Sequence, residues 1–309
     1  KKMIAAAAQA GADAVKFQTF IPEHFSRRKD KARFERLCGF SLSFEEFREL
    51  SDCARDVGVL FVSTPLDMQS AALLREICSF IKIASGDNTF YPLLDQVAGF
   101  GLPMIVSTGL LNLHEVIQLE QRLVPIMEAS GQTGQLCFLH CVSSYPVPPE
   151  EANIKALLSM KEALTSSVGY SDHTLGIEAC LAAIACGACV IEKHFTLDNN
   201  YSDFRDHKLS ADPNEFQTLV RRGRMMAKVL GTGEKVPQPS EEANRVVVRR
   251  SIAAGRFLKK GHCLSFDDLT WVRPGTGVAP GQEQSFVGKI ICRDVDLGHI
   301  FDKNDVLGS

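Results

Sequence analysis

Seven short apolar runs, rich in β-branched and aromatic residues, recur through the first three-quarters of the chain, and each closes on polar residues. They are Val15 to Thr19 (VKFQT), Val59 to Thr64 (VLFVST), Phe80 to Ser85 (FIKIAS), Pro103 to Gly109 (PMIVSTG), Leu136 to Ser143 (LCFLHCVS), Val168 to Thr174 (VGYSDHT) and Cys189 to Phe195 (CVIEKHF). Between them lie stretches of helical period. Ser43 to Val57 places Phe44, Phe47, Leu50 and Ala54 at spacings of three and four, and Leu175 to Cys186 is nearly all small or apolar. Continuously apolar strands alternating with helices predict a parallel sheet covered on its outer face. Seven strand-helix units predict a TIM (β/α)8-type barrel. The opening residues, Lys-Lys-Met-Ile-Ala-Ala-Ala-Ala-Gln-Ala, carry neither a signal-peptide pattern nor an N-cap and read as the middle of a helix. An eighth strand, absent from this sequence, is therefore expected ahead of Lys1. The rival architecture, an open doubly wound sheet, lacks its G-x-G-x-x-G fingerprint after a strand.

After a predicted helix at Pro213 to Leu230 the pattern changes to Gly231-Thr-Gly-Glu-Lys-Val-Pro-Gln-Pro-Ser240, a loop signature. The expected organisation is a barrel domain over residues 1–232, a linker over 233–249 and a small, mostly β domain over 250–309. The last carries a weak repeat, Gly261-His-Cys-Leu-Ser-Phe-Asp-Asp-Leu269 against Gly298-His-Ile-Phe-Asp-Lys-Asn-Asp-Val306, each copy following a short β-like run. A unit of this size is marginal alone, so it is expected to dock on another surface.

Composition narrows the classes of function. The 309 residues carry 34 basic and 37 acidic side chains, a formal net charge of −3, so the electrostatic footprint of a nucleic-acid binder is missing. Hydrophobic residues make up 45% and mean hydropathy is −0.01, yet no stretch approaches the length of a membrane helix. Ten cysteines are too sparse for a disulfide scaffold. Those in apolar runs (Cys78, Cys137, Cys180, Cys186 and Cys189) read as core residues in a cytoplasmic protein, and packing is the reading of the Cys186-x-x-Cys189 pair.

In a barrel the polar residues that close the strands converge on one mouth. Here that mouth gathers Lys16, Gln18, Thr64, Lys82, Ser85, Asp87, Ser107, Thr108, Ser143, Tyr145, Ser171, Asp172, His173, Glu192 and His194. Lysine ammoniums and hydroxyls are the donors that a phosphate or carboxylate needs. Lys16 and Lys82 sit inside apolar runs, where an unpaired ammonium is costly, so both are expected to be buried against an anion. A Schiff-base lysine is the competing functional reading. His173 and His194 close consecutive strands, which suits a shared divalent ion such as Mn²⁺, Zn²⁺ or Fe²⁺ with positions open for a substrate oxygen. Asp206-His207-Lys208 reads as surface unless the fold brings it to the mouth.

Taken together the motifs resemble a known family. KFQT (from Lys16), FVSTPLD (from Phe61), KIASGDNTFYPLL (from Lys82), IVSTG (from Ile105), LHCVSSYPVPPEEANI (from Leu139), GYSDHTLG (from Gly169), EKHFTLD (from Glu192) and DHKLSADP (from Asp206) closely resemble bacterial N-acetylneuraminate (sialic acid) synthases. RSIAA, LKKGHCLSFDDL and VRPGTG near the C-terminus resemble their antifreeze-like domain of the SAF type. The resemblance implies condensation of phosphoenolpyruvate with N-acetylmannosamine; legionaminic and pseudaminic acid synthases share these motifs. It also implies a divalent metal on His173 and His194, Mn²⁺ first, with Mg²⁺ or Co²⁺ as substitutes. Phosphoenolpyruvate would be held by Lys16, Thr64, Lys82, Ser85, Ser107, Ser143 and Ser171, with His173, His194, Lys16 and Lys82 as the catalytic set. The sugar would meet Gln18, Asp87, Tyr145 and Asp206, and Arg273 would cap the partner's active site in a domain-swapped homodimer. The family's first strand, with its Glu and an Asn-His-x-Gly segment, has no counterpart in this sequence. A reading of another class, a non-catalytic sugar-binding protein on a degenerate barrel, follows from that difference.

Overall fold

The apolar runs become strands because both of their faces find cover. Every residue of Leu60–Pro65 after Leu60 is buried, and Ile81–Ile83 is buried throughout. The computed structural model describes residues 1–202 and 205–307, with Arg205 described through its backbone alone. Seven strands, β1 (Ala14–Thr19), β2 (Leu60–Pro65), β3 (Ile81–Ile83), β4 (Met104–Ser107), β5 (Leu136–Cys141), β6 (Ser167–Asp172) and β7 (Ile191–Lys193), lie in chain order in one sheet, each parallel to its neighbours. All seven predicted runs are strands in this curled α/β half-barrel. The expected ring of eight is not what is described: β1 and β7 are the edges, and among the described residues no further strand pairs with either.

Local chemistry sets the helices. Helix Phe44–Asp56 starts at Ser43, whose Oγ accepts the Glu46 N–H while the Glu46 carboxylate accepts the Ser43 N–H. Its buried face is Phe47, Leu50 and Ala54, whereas Phe44, expected on that face, is exposed at the first turn. Helix Pro213–Leu230 is capped by Asp212 and stops at Gly231 with φ +62°. The helix expected from Leu175 begins only at Glu178, because Gly176 takes φ +76° and forms a turn. The core joins Ile4 of helix Lys2–Gln9 to Phe138, Tyr170, Ile81, Ile83, Leu93, Leu94 and Met104. Cys78, Cys137 and Cys180 are buried as expected, but Cys186 is half-buried and Cys189 exposed at the turn leading to β7. Among the described residues no helix is long and apolar enough to cross a membrane.

The chain divides into two compact units, residues 1–231 and 232–309. In the second, β8 (Ser251–Ala254) pairs antiparallel with β9 (Leu269–Val272), and β10 (Ile290–Ile291) with β11 (Val306–Leu307), around Ile252, Phe286, Ile291 and Phe301. The stretch 233–249, read as a linker, instead carries helix Glu242–Val248. Val246 of that helix accepts the Gly275 N–H at 2.7 Å, which ties it to this unit.

The repeat is a repeated polar cluster. His262 Nε2 lies 2.8 Å from Asp268 and His299 Nε2 lies 2.8 Å from Asp305, while Arg256 and Arg293 donate to the same two carboxylates. Both aspartates are 1% exposed, and each also accepts a backbone N–H, from Ser265 or Asp302. Burial pushes the Asp268 carboxyl up, but the hydrogen bonds from Ser265, His262 and Arg256 outweigh it and hold the group below the usual carboxylate range. A depressed folded-state value gives stability that is full above the ordinary carboxylate range and is lost as pH falls through the folded value. Asp268→Asn is expected to destabilise this unit at pH 7 by about 1–3 kcal/mol. It should also flatten the acid limb of its stability profile, which thermal melts of the whole chain between pH 2 and 7 would follow.

Candidate active site

Parallel strands all run the same way, so their closing residues meet at one end of the half-barrel. Within β3, Lys82 is 2% exposed, and its Nζ donates to Ser107 Oγ at 2.6 Å and to the Ile83 carbonyl at 3.0 Å. Glu192 of β7 lies 3.6 Å from that ammonium and accepts from Ser171 Oγ at 2.9 Å. Burial lowers the Lys82 ammonium from its ordinary value, against the pull of Glu192. For Glu192 burial acts upward, but Lys16, Lys82 and the Ser171 hydrogen bond prevail and hold it at about 2. The result is a carboxylate fixed among cations, with lysine charge left over for an incoming anion.

His173 and His194 come together. Their ring centroids are 5.2 Å apart at 69°, and the Tyr145 ring stands 4.2 Å from His173 and 5.9 Å from His194. His173 Nδ1 lies 2.9 Å from the Val142 carbonyl, which can only accept, so this nitrogen carries the proton and Nε2 keeps its lone pair. Burial lowers both imidazoles, His194 to about 4 with added repulsion from His173 and Lys16. Two neutral imidazoles with one fixed tautomer fit a divalent metal. Among the described residues no group of three or more His, Cys, Asp or Glu side chains could hold such an ion, so two protein ligands plus substrate or water oxygens is the set the residues allow.

An anion cradle lies beside them. Ser85 Oγ accepts the Gly109 N–H at 3.1 Å, and Asn88 Nδ2 donates to the carbonyls of Ser107 and Gly109, fixing the turn after β4. The buried hydroxyls of Thr64 and Ser143 have no hydrogen-bond partner among the described residues. Unsatisfied buried hydroxyls are costly unless a ligand completes them. A Cβ at Gly109 would sit 2.6 Å from Ser85 Oγ and equally inside contact of Ser143 Oγ. Gly109→Ala is therefore expected to keep the fold, since only the side chains of Ser85 and Ser143, and no backbone, must give way, and to raise KM for an anionic substrate about tenfold by loss of about 1.4 kcal/mol. Steady-state kinetics beside a thermal melt separates the two effects.

Several expected residues sit elsewhere than anticipated. Lys16 and Gln18 are exposed, because β1 is a sheet edge; the argument for a buried ammonium holds for Lys82 alone. Both line a cavity of about 390 Å³ between the β1 and β7 edges, with Lys82, Glu192, His194 and Asp206, so the short helix Arg205–Leu209 that carries Asp206 reaches the site. Asp87 is half-buried and its carboxyl is raised by that burial. Arg273 belongs to the C-terminal unit, directly after β9. Asn88 and Lys193 went unassigned in the sequence, and Asp172, expected at the mouth, is instead fully buried in a pair with Lys193, Nζ 2.7 Å from Oδ2. A signal for that pair existed. In Ser171-Asp172-His173 and Glu192-Lys193-His194 the middle residue of each strand end must face away from the mouth.

Known proteins share this sequence and this fold. A family model described as the NeuB family matches residues 3–235. An uncharacterized protein of Methanocaldococcus jannaschii is 43% identical over 309 residues, 100% of this chain and 90% of that protein. The N,N'-diacetyllegionaminic acid synthase of Campylobacter jejuni is 38% identical over 308 residues, 95% of this chain and 91% of its own. The crystal structure of N-acetylneuraminic acid (sialic acid) synthetase from Leptospira borgpetersenii matches with a TM-score of 0.71 at 35% identity, covering 79% of this chain and 83% of that one.

Proposed function

Since the chain belongs to the NeuB family, whose relatives include sugar-acid synthases, we propose that it condenses phosphoenolpyruvate with N-acetylmannosamine and water to give N-acetylneuraminate and phosphate. The observation that carries this reading is the buried Lys82 beside the unpartnered hydroxyls of Thr64 and Ser143, next to two neutral imidazoles. Phosphoenolpyruvate brings two anionic groups to such a cradle. Lys82, Ser85, Ser107, Ser143, Ser171 and Thr64 hold them, and Lys16 adds charge from the edge strand. Gln18, Asp87, Tyr145 and Asp206 orient the open-chain sugar.

C3 of phosphoenolpyruvate bonds to the aldehyde carbon, water adds at C2, and the C2–O bond to phosphorus breaks, so phosphate departs with its bridging oxygen. A divalent metal on His173 and His194, Mn²⁺ first, supplies polarisation of the aldehyde oxygen when bound. Glu192 keeps the two lysines apart and oriented. The C-terminal unit is read as a SAF-type domain, and a domain-swapped homodimer in which Arg273 caps a neighbouring site belongs to the same proposal. Legionaminic or pseudaminic acid synthesis is the second reading, supported by the names of Campylobacter jejuni relatives, a legionaminic acid synthase at 38% identity and a pseudaminic acid synthase at 32%. Phosphate release across a panel of N-acylated hexoses decides between them. Borohydride treatment in the presence of pyruvate is expected to trap nothing; a trapped adduct on Lys16 or Lys82 would replace this reading with a Schiff-base aldolase.

A further inference from the structure

Two thiols meet at the end of the sheet opposite the anion cradle. Cys137 of β5 lies in register with Ser167, the first residue of β6. On the other side of β6, Cys189 donates its N–H to the Val168 carbonyl at 2.9 Å. Reaching over β6, the two Sγ atoms lie 3.8 Å apart. Cys137 is 8% exposed, whereas Cys189 is open to solvent. The pair is therefore unequal: one thiol is sealed and the other is within reach of small molecules.

A cation stands beside the open thiol. Lys161 of helix Ala156–Ala163 donates to the Gly187 carbonyl at 3.4 Å, and a Cβ at Gly187, whose φ is +84°, would collide with that ammonium. Gly187 thus lets Lys161 lie along the turn that carries Cys189. The hydrogen bond with Cys137 is the strongest influence on Cys189, and Ser167 and Lys161 act the same way, so its thiol is held below the usual range although burial pushes upward. The same contact and burial push Cys137 up, so it keeps its proton and donates. Exposure alone does not set Cys189 apart, since Cys38 and Cys263 are exposed too, but among the described residues no second thiol touches either. Cys186, three residues earlier, packs against the apolar core instead.

We propose that Cys189 is a site of reversible oxidation by hydroperoxides, with Cys137 as the hydrogen-bond donor that activates it and not as a disulfide partner. The Cys189 thiolate attacks one peroxide oxygen. An S–O bond forms, the O–O bond breaks, sulfur gives up two electrons, and the departing hydroxide takes a proton from solvent, leaving a sulfenic acid and water. An internal disulfide does not follow. Neighbouring strands are about 4.8 Å apart and one strand separates the two cysteines, while Cα atoms more than about 7 Å apart are not bridged without backbone movement. A small thiol can reach the exposed sulfur, displace water to give a mixed disulfide, and a second equivalent restores Cys189. The proposal stands apart from the synthase reading, because none of these groups holds substrate in it.

The test treats the full chain at pH 7 with hydrogen peroxide in the presence of dimedone, which traps sulfenic acids, and maps the adduct by peptide mass spectrometry. Labelling of Cys189 is expected to be at least tenfold faster than that of Cys38 or Cys263, and to disappear when dithiothreitol is added between peroxide and dimedone. Cys137→Ala is expected to slow labelling of Cys189 about tenfold with a thermal melt close to the parent's. Lys161→Gln changes only an exposed side chain and is expected to slow it two- to fivefold, which keeps the test decisive if Cys137→Ala does not fold. Equal labelling of the three exposed cysteines, a Cys137–Cys189 or Cys186–Cys189 disulfide peptide in place of the adduct, or an unchanged rate in both variants would overturn the proposal.

Discussion

Replacing His194 with Ala is expected to lower phosphate release by about 10²–10³-fold or more, the scale of losing one group that stabilises developing charge. The fold should survive. His194 follows the end of β7 and contributes a ring to the site; its carbonyl accepts the Ala211 N–H at 2.8 Å, a backbone bond that the substitution leaves in place, and among the described residues its side chain makes no hydrogen bond. A loss of about 1 kcal/mol would move the melting temperature by roughly 2–4 °C in a protein of this size. The partner measurement is a melt with and without Mn²⁺. A ligand that binds only the native state raises the transition in proportion to the logarithm of its concentration over Kd. The parent is expected to gain stability from the ion and His194→Ala to gain much less, with His173→Ala behaving alike. Unchanged turnover in either variant at saturating substrate would remove the metal role.

Asp172→Asn is expected to be the most destabilising conservative change in the barrel unit. Asp172 and Lys193 are fully buried, and the carboxylate also accepts from the Tyr170 hydroxyl at 3.0 Å and from the Thr174 N–H and hydroxyl at 2.9 Å each. Lys193 Nζ donates in turn to the Thr174 carbonyl at 2.7 Å. Removing one charge leaves the other buried and unpaired, at a cost of about 3–5 kcal/mol. Lys193→Met should cost as much for the same reason, and Asp172→Asn with Lys193→Met together should recover a large part of either loss, because no bare charge remains. Denaturant midpoints of the three variants give the coupling directly. The sign with pH follows from the carboxylate. Burial pushes Asp172 up, but Lys193 and the Thr174 hydrogen bonds outweigh it and leave the group below its ordinary value. Its stabilisation is therefore complete above the ordinary carboxylate range and declines as pH falls through the lower folded value. Activity should fall as well, since these two residues stand next to His173 and His194 and register the strand ends that carry them.

Much of this was legible in the chain because burial on both faces leaves little freedom in composition. A run such as FIKIAS has no other stable reading than an internal strand, and its single lysine then has to find partners, as Lys82 does in Ser107 and Glu192. The exposure of Lys16 was not legible. Its run looks the same as the Lys82 run, and only the order of strands in the sheet decides which of them is an edge. The Lys193–Asp172 pair was readable in principle from period-two alternation but was hidden by the two histidines beside it. Asn88 could not be singled out, because its work of holding the Ser107 and Gly109 carbonyls depends on where the turn after β4 lies. In the C-terminal unit the repeat predicted two related halves, and the spacing of Arg256, His262 and Asp268 recurs in Arg293, His299 and Asp305.

The most direct measurement of the central claim is inorganic phosphate released by the full chain with Mn²⁺, given phosphoenolpyruvate alone, an N-acylated hexose alone, or both. The account predicts phosphate only when both are present, in equal amount to a newly formed nine-carbon keto acid. Release that proceeds without the sugar, or none with any N-acylated hexose in the panel, would contradict it.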